Sequence, residues 1–249
     1  PVSYVGSFDG IRSLFAATPM ARHLGLSVGD FSFNSGKGRC PTCGGAGFEH
    51  IEMQFLSDVY LPCPACGGKR YKDSTLEVKI RLSDDRDYSI ADVLDMTADE
   101  ATRLFFEYPS ITWGIQQLCK VGLGYLKLGQ PLTTLSGGER QRVYLAMALA
   151  QGGTTILLDE PGAFLDVRAQ FELLDLLRSV AAGGKAVVLV MHELPQAMQY
   201  ADRIALLSGG RLLGCDTSAA LAATGAVDRV FGVRLCRAPD GVWYVKAEG

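Results

Sequence analysis

Four cysteines, Cys40, Cys43, Cys63 and Cys66, stand in the spacing C-x2-C-x19-C-x2-C, which is metal-ligand spacing. Two thiolates from each C-x-x-C turn can converge on one ion and build a closed tetrahedral site with Zn–S bonds of about 2.3 Å. Glycines follow each pair, Gly44-Gly45 and Gly67-Gly68, and leave the backbone amides free to turn toward sulfur. The expected ion is Zn²⁺; an iron–sulfur centre or a redox dithiol is the alternative. Four protein ligands leave no open coordination position, so such a site is structural, and binding the metal orders the segment that carries it. A second group is Leu135-Ser136-Gly137-Gly138-Glu139. Ser136 and Glu139 form a capping box that opens a helix, and the amides and hydroxyl gathered there favour an anion such as a γ-phosphate. A third group is Asp159-Glu160, two carboxylates closing the apolar run Ile156-Leu157-Leu158. There Asp159 can hold Mg²⁺ through water and Glu160 can polarise an attacking water. Asp166 follows, and His192 comes directly after the apolar residues 186–191, where it can reach the same phosphate.

These groups need elements to position them. Residues 8–17 predict a short helix stopped near Pro19, followed by a glycine-punctuated loop. Residues 37–72 are rich in Gly and Pro and lack periodicity, so their order must come from something other than a core. A short extended stretch is expected over 75–82, then a helix from Ile90, and a second announced by the capping box Thr97-Ala98-Asp99-Glu100 and ending before Pro109. Another helix covers 110–120. From Ser136 a helix carries Val143, Met147 and Ala150 on one stripe and ends at Gly152-Gly153. Residues 154–158 and 186–191 read as buried strands, with helices over 167–180 and 195–200. A hairpin turns at Ser208-Gly209-Gly210, and another closes the chain over 233–245. Strands alternating with helices imply βαβ units and a largely parallel sheet.

The bulk properties exclude several classes. The chain has 249 residues, 48% apolar and 20% charged, as in ordinary globular proteins, and no apolar run long enough to span a membrane. A net charge of −3 rules out general polyanion binding. Within 37–72, however, five basic residues (Lys37, Arg39, Lys69, Arg70, Lys72) face three acidic ones (Glu49, Glu52, Asp58). That patch is either a solvated surface or a set of contacts to a nucleic-acid backbone. Of the seven cysteines, Cys119, Cys215 and Cys236 lie apart among apolar neighbours and read as buried small hydrophobes. The arrangement suits a reducing, cytoplasmic compartment better than a disulfide framework. No G-x-x-x-x-G-K-[ST] loop occurs: Gly36-Lys37 would need Gly at Phe31 and Ser or Thr at Gly38. The expectation is that these residues are the C-terminal part of something larger and turn over no ATP alone.

The order of the motifs resembles ABC-type ATPases: a signature segment at 135–139, a Walker B strand ending at Asp159-Glu160, a D-loop at Leu165-Asp166 and a switch histidine at His192. Residues 4–12 (YVGSFDGIR), 31–34 (FSFN), 38–40, 51–60 (IEMQFLSDVY), 68–71, 92–97 (DVLDMT) and 121–130 (VGLGYLKLGQ) are similar to UvrA, the ATPase subunit of bacterial nucleotide excision repair. That resemblance implies the second nucleotide-binding domain, with a zinc-bearing, helix-rich insertion implicated in DNA engagement. It also implies ATP and Mg²⁺ as cofactors, and as partners DNA, other repair subunits and a second ATPase half in a homodimer. Ser136 and Gly138 would serve the partner's nucleotide, while Asp159, Glu160 and His192 serve their own; Gly137, Glu139 and Asp166 are the further nucleotide-binding residues the resemblance implies. Residues 139–142, 158–166, 191–194, 200–203 and 230–233 look more like importer ATPases for iron chelates or cobalamin.

The expected architecture is thus α/β, an incomplete ABC-type ATPase domain with a four-cysteine zinc insertion. Its parts are 1–36, a zinc module 37–72, a helical region 73–134, an ATPase core 135–232 and a terminal hairpin 233–249. Three functions fit: a DNA-repair ATPase segment, an importer ATPase docking on a membrane permease, or a zinc-stabilised binding module with an inactive ATPase half. Salt-dependent DNA binding that collapses on zinc chelation would favour the first, and co-purification with a permease the second.

Overall fold

Polar side chains cap most of the helices, and the glycines set how closely two of them cross. The computed structural model describes residues 1–51, 59–163 and 165–247. Residues 52–58 and Phe164, which carry part of the resemblance and two acids of the charge count, lie outside the described residues. The chain packs as two units, Pro1–Gly153 and Thr154–Gly249.

In the first unit α1 (Ser7–Ala16) buries Phe8, Ile11 and Phe15 on one face. Thr18 caps α2 (Pro19–His23) by accepting the Ala21 amide at 3.2 Å. The hairpin β1 (Phe48–Ile51) and β2 (Val59–Pro62) pairs Phe48 with Pro62 inside the cysteine segment. After it come α3 (Asp73–Leu76), β3 (Ile80–Arg81), β4 (Asp87–Tyr88), α4 (Ile90–Asp95), α5 (Ala98–Leu104), α6 (Pro109–Lys120) and α7 (Gly137–Ala150). The expected extended stretch over 75–82 is corrected: it starts in α3, because buried Thr75 turns its hydroxyl onto the Gly38 carbonyl at 3.0 Å. The residues leading into α1 pack so closely on α6 that a Cβ on Gly114 would lie 2.2 Å from the Val5 carbonyl oxygen, and a Cβ on Gly10 of α1 would meet Ile111 of α6 at 2.7 Å. Ser7 Oγ donates to the Ile111 carbonyl at 2.7 Å across the same contact. The core gathers Phe15, Phe31, Phe105, Ile111, Ile115 and Leu118, all fully buried, each side chain contributing about 1.5–3 kcal/mol of apolar transfer. The capping boxes at Thr97–Glu100 and Ser136–Glu139 form as read. In α7 the buried residues are Val143, Leu145, Ala146 and Leu149, with Met147 and Ala150 only half-buried.

The second unit runs β5 (Thr155–Asp159), α8 (Val167–Ala182), β6 (Ala186–Val190), α9 (Leu194–Tyr200), β7 (Ile204–Ser208), β8 (Arg211–Asp216), α10 (Ser218–Ala223), α11 (Ala226–Phe231), β9 (Val233–Arg237) and β10 (Trp243–Ala247). Strands β5 and β6 pair in parallel, which requires the crossover α8 supplies. Among the described residues this is the only parallel pair; β7–β8 and β9–β10 are antiparallel hairpins. The two strands expected to be buried are not. Ile156 is buried, but Leu157 is 74% exposed and Val188 and Val190 are each 51% exposed, because among the described residues each strand has one neighbour and one covered face. Leu173, Leu174 and Leu177 form the buried face of α8. Leu206, Leu221 and Val227 form a second small core under α10 and α11.

The three scattered cysteines are also corrected: Cys119 and Cys236 are half-buried and Cys215 is exposed, on a strand with no fully buried residue. Among the described residues no helix is long and apolar enough to cross a membrane.

Candidate functional site

The cysteine segment brings its four thiols together. All four Sγ atoms lie within 4.8 Å of one another, and Cys43 and Cys66 are 3.7 Å apart. A tetrahedral site with Zn–S bonds of about 2.3 Å has S···S edges of about 3.8 Å, so the quartet fits the ion. Backbone bonds fix it from outside: Cys40 N–H donates to the Arg70 carbonyl at 2.8 Å and Cys63 N–H to that of Gly47 at 3.0 Å. Gly47 N–H donates to Cys43 Sγ at 3.3 Å. The backbone amide of Cys43 holds the Cys40 thiol down to about 7, whereas burial pushes Cys66 up to about 12. Zn²⁺ bound here would favour the thiolate form of all four and cross-link the two turns.

The five basic residues divide. Arg39 Nη1 donates to the carbonyls of Asn34 at 3.0 Å and Gly44 at 3.3 Å. Arg70 is half-buried, donates from Nη2 to the Gly129 carbonyl at 2.8 Å and stacks 5.0 Å over Phe33. Lys37, Lys69 and Lys72 are exposed. Both guanidinium groups thus tie the knuckle to its surroundings, and three ammonium groups face solvent.

At the start of α7, Ser136 N–H and Oγ–H both donate to Glu139 Oε2 at 2.8 Å, and Glu139 N–H returns to Ser136 Oγ at 3.3 Å. Gly137 and Gly138 are the first two residues of the helix, with their amides at its positive end. Tyr125 OH donates to the other oxygen, Oε1, at 2.6 Å. That bond, together with the Ser136 donors, holds the Glu139 carboxyl below the usual range.

In the second unit the parallel register sets Asp159 opposite Val190, and Glu160 N–H donates to the Val190 carbonyl at 3.1 Å. The carboxyl ends of both strands therefore finish side by side, where open α/β sheets hold ligands. His192 Nε2 and Glu160 Oε1 lie 2.6 Å apart; a carboxylate only accepts, so Nε2 is the donor. Glu160 sits at φ 44°, a left-handed conformation that costs a non-glycine residue about 1–3 kcal/mol and concentrates at functional sites. Both side chains line a cavity of about 250 Å³ with Gly162, Gln170, Met191 and Gln196. Asp159 is exposed at the strand end, outside that lining. Asp166 instead caps α8, accepting the Ala169 amide at 2.8 Å.

A family model described as ABC transporter matches residues 83–163. The UvrABC system protein A of Thermus thermophilus is 46% identical over 244 residues, covering 94% of this chain and 25% of the relative. The chain is similar to UvrA. The UvrA of Deinococcus radiodurans is 47% identical over 205 residues, 81% of this chain and 20% of the relative. The crystal structure of UvrA2 from Deinococcus radiodurans superimposes with a TM-score of 0.71 at 41% identity, covering 89% of this chain and 28% of that one. The fold is therefore the mixed α/β fold of an ABC ATPase, like UvrA, with a four-cysteine cluster that fits a zinc-binding insertion. The chain spans about a quarter of the length of these UvrA relatives. A match over 94% of the chain lies on both sides of residue 140, so the UvrA likeness does not stop where the importer-like segments begin. An inward-facing metal-chelate type ABC transporter reaches a TM-score of only 0.49 at 19% identity, over 62% of this chain and 68% of that one.

Three residues at these sites escape sequence reasoning. Gln170 donates to the carbonyls of Gly162 and Leu165, both at 3.2 Å, and accepts from Gln196 Nε2 at 2.9 Å, so the two amides brace the loop after β5. Tyr125 braces the start of α7. The signal in each case is a polar tip on a residue that sequence patterning assigns to an ordinary helix or loop.

Proposed function

We propose that this chain is a segment of a DNA-damage-recognition ATPase of nucleotide excision repair, in which ATP binding and hydrolysis are coupled to DNA contact. The observation that carries the reading is the joint one: a cysteine quartet of tetrahedral size within a chain that is UvrA-like along nearly its whole length. Residues 37–72 are the zinc module, 73–134 a helical region and 135–232 the ATPase core. The exposed Lys37, Lys69 and Lys72 are the phosphate contacts; Arg39 and Arg70 support them from within.

Each chemical group then has a task. Asp159, exposed at the end of β5, would hold Mg²⁺, which would supply positive charge to the phosphates, and Asp166 sets the loop that follows. Glu160 accepts a hydrogen bond from the attacking water and orients it toward the γ-phosphate of ATP. His192 Nε2–H, now on Glu160, is free to turn to the phosphate when it arrives, which releases the carboxylate for the water. Ser136, Gly137 and Gly138 offer a hydroxyl and helix-terminal amides to the nucleotide of a second ATPase half in a homodimer, with Glu139 setting the hydroxyl. Other repair subunits are the further partners, and free thiols fit a reducing, cytoplasmic setting.

The test is duplex DNA binding by the chain, measured by fluorescence anisotropy with and without a zinc chelator. The reading predicts binding at low salt that weakens as salt rises and collapses on chelation. No binding at low salt, or binding indifferent to metal and salt, would overturn it.

A further inference from the structure

Residues 121–131 lie between the cysteine segment and the start of α7 and touch both. Arg70 is the contact on one side. Its carbonyl accepts the Cys40 amide at 2.8 Å, its φ is 71°, and its guanidinium leaves the knuckle to stack on Phe33 and donate to the Gly129 carbonyl. The loop it grasps is stiff. Gly129 N–H donates to the Leu94 carbonyl at 2.7 Å, Leu128 N–H to that of Met96 at 2.9 Å, and Leu126 and Gly124 accept the Ala98 and Asp99 amides, both at 2.9 Å. A Cβ on Gly129 would meet Leu94 Cβ at 2.9 Å, and Leu123, Leu126 and Leu128 are buried. Tyr125 is the contact on the other side. The residue is 58% exposed, so packing does not explain its placement; its hydroxyl donates to Glu139, whose second oxygen holds both Ser136 donors. Every link lies within the first unit.

We propose that Arg70 and Tyr125 are positioning residues that make residues 121–131 a strut, through which a metal-ordered cysteine knuckle stabilises the Ser136–Glu139 capping box. Arg70, read from sequence as a phosphate contact, is the knuckle's anchor to the strut. The functional meaning rests on reading Ser136–Glu139 as the phosphate-facing segment, but the linkage itself is measured without nucleotide. Failure of one is therefore distinguishable from failure of the other.

The experiment is residue-resolved amide hydrogen exchange on the zinc-loaded chain, comparing wild type, Tyr125→Phe and Arg70→Met, each before and after chelation. Zinc content is measured in parallel. Losing one hydrogen bond to a carboxylate at a partly exposed site is expected to speed exchange at Ser136 and Glu139 about two- to tenfold. The amides of Leu145 and Leu149 should not change. Chelation should speed the same two amides in wild type and add nothing in Tyr125→Phe. Unchanged exchange in zinc-loaded Tyr125→Phe would overturn the proposal, as would chelation that accelerates wild type and Tyr125→Phe by the same factor. If Arg70→Met sheds its zinc, the Tyr125→Phe comparison decides, since that side chain touches no cysteine.

Discussion

The split among the basic residues yields a number. If all five touched DNA phosphates, counterion release would give a slope of log K against log salt of about −4.5 from this segment; three contacts give about −2.7. With Arg39 and Arg70 committed to protein carbonyls and Lys37, Lys69 and Lys72 exposed, the smaller value is expected. Each Lys→Ala change should then flatten the slope by about 0.9 and weaken binding evenly across sequences. Arg70→Met should leave the slope within about 0.3 of wild type even if it lowers affinity, because it removes a structural bond and no phosphate contact. The assay is anisotropy with a short duplex between about 50 and 200 mM salt, the range over which counterion release is read, on protein of verified zinc content. A zinc-replete Arg70→Met whose slope falls by about 0.9 would refute the division of the patch.

Three further outcomes follow from other parts of the molecule. Gly114→Ala places a methyl 2.2 Å from the Val5 carbonyl oxygen; overpacking should outweigh the helix-propensity gain and cost about 1–3 kcal/mol, lowering Tm by several degrees in calorimetry. Cys40→Ser should lose stoichiometric metal and the order of the two cysteine turns, seen as loss of tyrosine near-UV circular dichroism and rapid exchange at the Cys63 amide. For pH, Glu139 has a folded value below its ordinary one. Its stabilisation of α7 is therefore present above the ordinary glutamate range and lost as pH falls through the folded value. Because Tyr125 is the largest cause, Tyr125→Phe should move that loss to higher pH; exchange at Ser136 followed against pH reads it, and an unmoved profile would contradict the assignment.

Elements with local signals were legible. Thr97–Glu100 and Ser136–Glu139 are capping boxes whose partners lie three residues apart, and Ser208-Gly209-Gly210 turns a hairpin because its glycines take positive φ. The cysteine quartet was legible because spacing alone limits what four thiols can do. What sequence left out depends on distant partners. The β1–β2 hairpin is held by cross-strand pairing rather than an apolar stripe, with His50 stacked on Tyr60 at 4.9 Å. Helices α10 and α11 are six residues each and stand on Leu221 and Val227 packing with Leu206, which no local period announces. Burial of β5 and β6 was overread because Ile, Leu and Val record a strand's preference for an apolar cover, not the presence of one. Arg70 illustrates the general case: its charge suggested a ligand, whereas its backbone conformation and the ring beneath it assign it to the scaffold.

We propose that four thiolates of this chain hold one zinc ion and so order the exposed lysines around it. Zinc-edge X-ray absorption on the purified chain tests that claim directly. It predicts one zinc per chain with four sulfur neighbours at about 2.3 Å. A first shell with oxygen or nitrogen in place of any of them, or a chain that is fully ordered without metal, would contradict it.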